Sequence, residues 1–262
     1  MKYAELKRPD IQRMDKAHKV AVVPLGSLEQ HGLHLPLCTD SLLGEELAVR
    51  VEANLPQTVL LLPTLWLGSS HHHLKFPGTV SVSSSLYIDL VCQLCESLLA
   101  AGFVRIFLLL SHGGNDVPCR EALNRLSLAH RERSDFWIAS GGWWSLADDV
   151  LRLPEMETPR PTHACEYETS MVLATRSDLV ELPTAAGHCV QVASRFYQPA
   201  GPSKVHVALP FEQMTRTGAL GRPDLASPEK GENLLEVISA RLTDFVREFA
   251  NWEREDAPEL GI

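Results

Sequence analysis

No stretch of the chain can cross a bilayer as a helix. The most apolar run, Phe103 to Leu110, is far shorter than the roughly 20 residues such a helix needs. Residues 1–19 lack the apolar region of a secretory signal, so an intracellular, cytoplasmic protein is expected. An excess of basic residues is missing too: 24 Lys and Arg against 33 Asp and Glu give a formal net charge of −9. That balance excludes a role built on neutralising nucleic-acid phosphates. Six cysteines are too few and too scattered for a disulfide scaffold. Cys92 and Cys95 form the one C-x-x-C, inside a helical pattern and without a second pair to complete a zinc site, so both read as small buried residues. Linkers, internal repeats and low-complexity segments are absent as well. At 262 residues, the whole chain is expected to form one domain.

What is present is a 45% hydrophobic sequence in which short β-branched runs alternate with longer segments of helical period. This is the pattern of an α/β sheet with helices on its faces. Strands are expected at Lys19 to Leu25, Thr58 to Pro63, Val104 to Leu110 and Phe136 to Ser140. Helices are expected at Leu42 to Ala53, Ser84 to Ala101, Val117 to Arg131, Thr169 to Thr175 and Glu229 to Phe249, with Gly102 ending the second.

Polar clusters follow directly on the first three strands. Val22 to Leu25 runs into Gly26-Ser27-Leu28-Glu29-Gln30-His31, Leu61 to Pro63 leads to Gly68-Ser69-Ser70-His71-His72-His73, and Phe107 to Leu110 runs into Ser111-His112-Gly113-Gly114-Asn115. If the strands are parallel, the clusters meet at the carboxyl edge of the sheet, where open α/β folds place ligands.

In extended backbone Glu29 and His31 point to one side, and Asp40, beyond a loop containing Pro36, can fold back between them. One carboxylate bridging two cations, with Glu29 and His31 each holding one, is the plan of a two-metal hydrolytic site; a hydrogen-bonded surface loop fits the same residues equally well. His112 is a metal ligand or a core histidine in equal measure, and the glycines after it let backbone approach a ligand. In His163-Ala164-Cys165-Glu166-Tyr167-Glu168, the acids either complement a helix N-terminus or turn one carboxylate to the metals, with His163 carrying a proton. Adjacent residues diverge in direction, so at most one or two of the histidine run could serve one cation, and Ser70 and His73 fit contact with substrate or support behind the ligands better. Trp144 offers a pocket wall or plain core.

In their order along the chain, these motifs resemble the creatininase (creatinine amidohydrolase) family. The matching segments are Pro24 to Gly32 continuing to Asp40, Gly68 to His73 with Phe76-Pro77-Gly78-Thr79, Ser111 to Asn115, His163-Ala164 with Glu168-Thr169-Ser170, and Ala226 to Glu232. The resemblance implies a three-layer α/β/α sandwich with a mainly parallel sheet. It also implies assembly into hexamers and two divalent cations (zinc, manganese or iron) per chain. Carried over residue by residue, Glu29, Asp40 and His112 would hold one cation, and His31 with the bridging Asp40 the other. His163 would act beside the substrate, Trp144 and Gly113 would line its pocket, and His34 would support the ligands.

Two positions depart from the pattern. Members that hydrolyse creatinine carry a glutamate ligand where this chain has Gly114, and Glu166 is the candidate to replace it as ligand and as a catalytic carboxylate. They also carry a Trp-Asp pair that here falls on Pro159-Arg160, which argues against creatinine itself. The expected activity is hydrolysis of an amide, cyclic amide or formamide C–N bond of a small molecule by metal-activated hydroxide, with His163 or a nearby carboxylate protonating the departing nitrogen. The rivals are an enzyme of the same fold acting on a sugar or a C–C or C–O bond, a peptide-cleaving maturation hydrolase, and a non-catalytic metal-binding scaffold.

Overall fold

A computed structural model describes residues 1–201 and 203–253. Four strands, β1 (Val20–Leu25), β2 (Val59–Leu61), β3 (Arg105–Leu110) and β4 (Trp137–Gly142), form a parallel sheet in the order β2-β1-β3-β4. Leu25 pairs with Leu110, and Leu110 with Gly142, so three strand ends lie level at the carboxyl edge. β4 runs two residues past its expected end because Gly141 and Gly142 pair with Leu109 and Leu110. β2 is shorter than read, keeping only its three fully buried residues.

The helices are α1 (Arg8–Arg13), α2 (Thr39–Asn54), α3 (Ser84–Ala100), α4 (Asp116–Ala129), α5 (Trp143–Leu146), α6 (Glu166–Arg176), α7 (Phe211–Met214) and α8 (Pro228–Phe249). Successive strand residues point to opposite faces, and the apolar residues divide accordingly. Val20, Val22, Phe107 and Leu109 join one core with α2, α6 and α8. Ala21, Val23, Ile106 and Leu108 join another with α3 and α4. The strands read as continuous apolar runs because both faces are covered, which gives the expected three-layer sandwich. Gly102 ends α3 at φ 87°, a conformation that favours glycine. All six cysteines are free, and Cys95 lies in the core. Among the described residues no helix is long and apolar enough to cross a membrane.

The close packing of α6 on α8 accounts for the Ala226 to Glu232 motif. The Ser227 hydroxyl accepts from the Lys230 amide as N-cap, Pro228 opens α8, and the Ser227 amide donates to Ser170 Oγ at 3.2 Å. Gly231 lies against the Ser170 carbonyl, with no room for a side chain. This approach lets the Lys230 ammonium donate to Glu166 Oε1 at 2.7 Å. Glu166 is fully buried and the lysine side chain is 14% exposed. Lys230→Met should therefore lower stability by about 3 kcal/mol, because a buried carboxylate loses its counter-charge. Urea unfolding midpoints compared with the parent measure this; equal midpoints would show that the ion pair carries no net weight.

Candidate metal centre

The loops after the strands bring the polar clusters together. A single carboxamide ties three of them: Asn115 Oδ1 accepts from the Ser69 amide at 2.9 Å, and Asn115 Nδ2 donates to the Gly26 carbonyl at 2.9 Å. Asn115 is fully buried, so these bonds form away from water and hold the β1, β2 and β3 exits in fixed register.

Asp40 lies in the first turn of α2, which begins three residues earlier than its apolar period suggested. The early start follows from Thr39, whose amide and hydroxyl both donate to the Pro36 carbonyl, at 3.2 and 2.7 Å. A helix N-terminus favours a carboxylate there. The two oxygens of Asp40 face different imidazoles: Oδ1 stands 3.2 Å from His31 Nε2, and Oδ2 stands 3.0 Å from His112 Nδ1. Glu29 Oε1 is 3.3 Å from the same His112 nitrogen. Glu29, His31 and Asp40 form one group close enough to share an ion, and His31, His163 and Glu168 form another.

The other nitrogen of each imidazole is already engaged. His31 Nδ1 lies 3.1 Å from the Glu29 carbonyl, and His112 Nε2 lies 3.1 Å from Ser70 Oγ and 3.4 Å from the Ser69 carbonyl. A ring donating its hydrogen to a carbonyl presents a lone pair at its other end. Those lone pairs face carboxylate oxygens, and Glu29 Oε1, His31 Nε2 and Asp40 Oδ2 are buried without a hydrogen-bond partner. Nitrogen and carboxylate oxygen at about 3 Å in a buried site need positive charge between them, supplied by a ring proton when no ion is bound or by a cation in its place, and the donor set suits zinc or manganese. The residues therefore fit a divalent metal ion.

Titration behaviour expresses the same crowding. Burial alone would lower the His31 pKa, but Asp40, then Glu168 and Glu29, outweigh it and raise it to about 9. Burial would raise Glu29, yet His112 and its neighbours hold that carboxylate well below the usual range. Glu168 is pushed up to about 7 by burial, with Asp40 and Glu29 adding to the effect and His31 opposing it. Burial and the charge of His31 lower His163 to about 3, so that ring is neutral.

Glu29, Asp40, His112, Gly113, Trp144 and His163 line a cavity of about 280 Å³. Glu166 does not. Its Oε1 accepts from the Glu157 amide and Lys230, and its Oε2 from the amide and hydroxyl of Thr158 at 2.8 and 2.7 Å. The expectation that Glu166 serves as ligand and catalytic carboxylate is therefore corrected: protein donors occupy its oxygens on the far side of α6. The carboxylate that reaches the cage is Glu168, two residues on. Periodicity could not separate the two, because α6 starts at Glu166 rather than Thr169 and both acids fall in its first turn.

Gly114 leaves no space for the missing glutamate. A Cβ there would meet the Ser69 carbonyl at 2.5 Å and His72 Cε1 at 2.8 Å. Ser70, expected at the substrate, lies instead behind His112, while His73 reaches the cavity wall and faces Glu29 Oε1 at 3.3 Å. His34 Nε2 lies 2.9 Å from Thr169 Oγ1, beside Glu168. Ala164 has φ 50°, the one positive value at a non-glycine among the described residues, and its amide donates to Glu168 Oε2. That strained turn is what lets His163 and Glu168 enter the same cavity. Phe211 of α7 also lines it, 4.1 Å from the His73 ring centroid, and nothing in its irregular surroundings marked it in the sequence.

Residues 4–246 match the model of the family Creatininase, creatinine amidohydrolase. The chain belongs to the creatininase family. It is 27% identical to creatinine amidohydrolase of Pseudomonas putida over 87% of this chain and 89% of that protein. It is 28% identical to a mycofactocin precursor peptide peptidase of Mycobacterium ulcerans over 88% and 84% of the two chains. A 3-dehydro-scyllo-inosose hydrolase of Thermotoga maritima is 27% identical over 87% and 76%. The fold superposes on a creatinine amidohydrolase crystal structure with TM-score 0.79 at 25% identity, covering 96% and 98%. Related creatininase structures include a Zn-Zn form of a mutant (26% identity, TM-score 0.77, covering 94% and 97%) and a manganese form (26%, 0.78, 94% and 97%).

Proposed function

We propose that this creatininase-family protein hydrolyses a C–N bond of a small amide, lactam or formamide with two divalent cations. Glu29, Asp40 and His112 hold one, and His31, Asp40 and Glu168 hold the other. The observation that carries the reading is Asp40, whose two oxygens face two separate sets of ligands. Bound there, such cations polarise a carbonyl and lower the pKa of water from about 15.7 towards about 7.

The chain's own side chains supply orientation and proton handling. His163 Nε2 lies 2.9 Å from the Gln30 carbonyl and donates to it, so Nδ1 is bare, 3.6 Å from Glu29 Oε1. A neutral ring with its acceptor nitrogen at the cage takes a proton from the attacking water and passes it to the departing nitrogen. Trp144 and Phe211 exclude solvent from the cavity, whose about 280 Å³ suits a small molecule or the end of a longer one. The replacement of a glutamate by Gly114 and of a Trp-Asp pair by Pro159-Arg160 argues for a substrate other than creatinine.

His163→Ala should keep two metals per chain and lose about 10²- to 10⁴-fold in turnover. Plasma mass spectrometry counts the metals. Mass-spectrometric detection of water addition to a panel of amides, short peptides and cyclitols reads the reaction. Metal loss in this variant, or chemistry on the panel without C–N cleavage, would overturn the assignment.

We further propose a cytoplasmic homo-oligomer, a hexamer by family expectation. Exposed Leu33, Trp66 and Val117 (65%, 51% and 74%) supply apolar surface for such contacts. Light scattering should return about six times the 29.0 kDa chain mass; a monomer would reject it.

A further inference from the structure

The side chain of Gln30 touches no expected ligand role, yet it sits at the centre of the most constrained hydrogen-bond set in the site. Its Oε1 lies 3.0 Å from the Gly32 amide and its Nε2 lies 3.1 Å from the Gly218 carbonyl. These two backbone partners fix the orientation of the amide, because turning it over would set oxygen against oxygen and N–H against N–H. The same nitrogen stands 2.9 Å from His73 Nδ1 and 3.0 Å from His163 Nε2, three neighbours for two hydrogens.

Counting donors resolves the excess. His163 Nε2 is also 2.9 Å from the Gln30 carbonyl oxygen, which can only accept, so that nitrogen carries a hydrogen and cannot take one from the amide. The two amide hydrogens then go to the Gly218 carbonyl and to His73 Nδ1. His73 Nδ1 is therefore the acceptor, and the ring hydrogen lies on Nε2, which faces Glu29 Oε1 at 3.3 Å.

We propose that Gln30 is a positioning residue: its carboxamide fixes His73 as a donor towards Glu29, and its backbone carbonyl fixes a hydrogen of His163 on Nε2, the nitrogen turned away from Glu29. Glu29, His73 and His163 stand close enough to share an ion, but the tautomer of His73 closes that set to a cation. The N–H of His73 instead orients the Glu29 carboxylate, which keeps the ligands of the proposed pair in place. The inference draws on the hydrolase reading only for this last consequence; the tautomers stand without it.

Nitrogen-15 NMR of histidine-labelled, zinc-loaded protein tests it, with His73 assigned by the signals lost in His73→Gln. The parent should show His73 unprotonated at Nδ1 and protonated at Nε2, and His163 likewise protonated at Nε2. Gln30→Glu, which offers His73 only acceptors, should invert the His73 pattern. Gln30→Met, similar in shape but without a donor, should leave no single tautomer and bind zinc more weakly. Parent His73 protonated at Nδ1, or a His73 pattern unmoved in both variants, would overturn the proposal. Should Gln30→Glu not fold, the parent and Gln30→Met decide. Absent zinc with the stated tautomers would sink the metal reading and leave the role of Gln30 standing.

Discussion

Asp40→Ala is expected to strip both cations and lower turnover on the order of 10³-fold or more, the largest functional effect of any single change in the site. Its two oxygens belong to two ligand sets, so the loss is shared, whereas His112→Ala removes a ligand from one set alone. Plasma mass spectrometry on protein dialysed against equimolar zinc measures the difference, with near-zero occupancy for Asp40→Ala. Far-ultraviolet circular dichroism should match the parent, because Asp40 is anchored by its helix rather than anchoring it. Two retained ions in Asp40→Ala would dismantle the bridging geometry on which the proposed chemistry stands.

The largest effect on stability is expected from Gly231→Ala. A Cβ at this position would fall inside the contact radius of the Ser170 carbonyl oxygen, with the Ala174 methyl 3.0 Å away. Backbone on both sides leaves no flexible side chain to yield, so α6 and α8 must separate, at a cost of roughly 3 kcal/mol or more. Because α6 carries Glu168 and Thr169, the variant should also bind metal more weakly. Gly113→Ala is the matched control: a Cβ there meets nothing within 4 Å, and its unfolding free energy from urea titration should stay within about 0.5 kcal/mol of the parent. Equal midpoints for the two variants would show that the α6–α8 contact relaxes freely.

The strands and long helices were legible because both faces of a parallel sheet are buried. Val20–Leu25 and Arg105–Leu110 therefore stand out as unbroken apolar runs. Glu29, His31, Asp40 and His112 could be placed at one edge from strand order alone. Choosing between Glu166 and Glu168 could not be done that way. The choice depends on where α6 begins, and that is set by the left-handed Ala164 and by Lys230, 64 residues along the chain from Glu166. Phe211 and Gly218, whose carbonyl accepts from Gln30, belong to residues 177–227, where short turns carry no period to read.

The Asn115 clamp has a consequence for how the protein meets metals in a cell. Its bonds join main-chain groups of separate loops without using any ligand atom, so the loops hold their register without help from an ion. Swapping one divalent ion for another then demands no rebuilding of the fold. Which element the enzyme carries becomes a matter of what its surroundings supply.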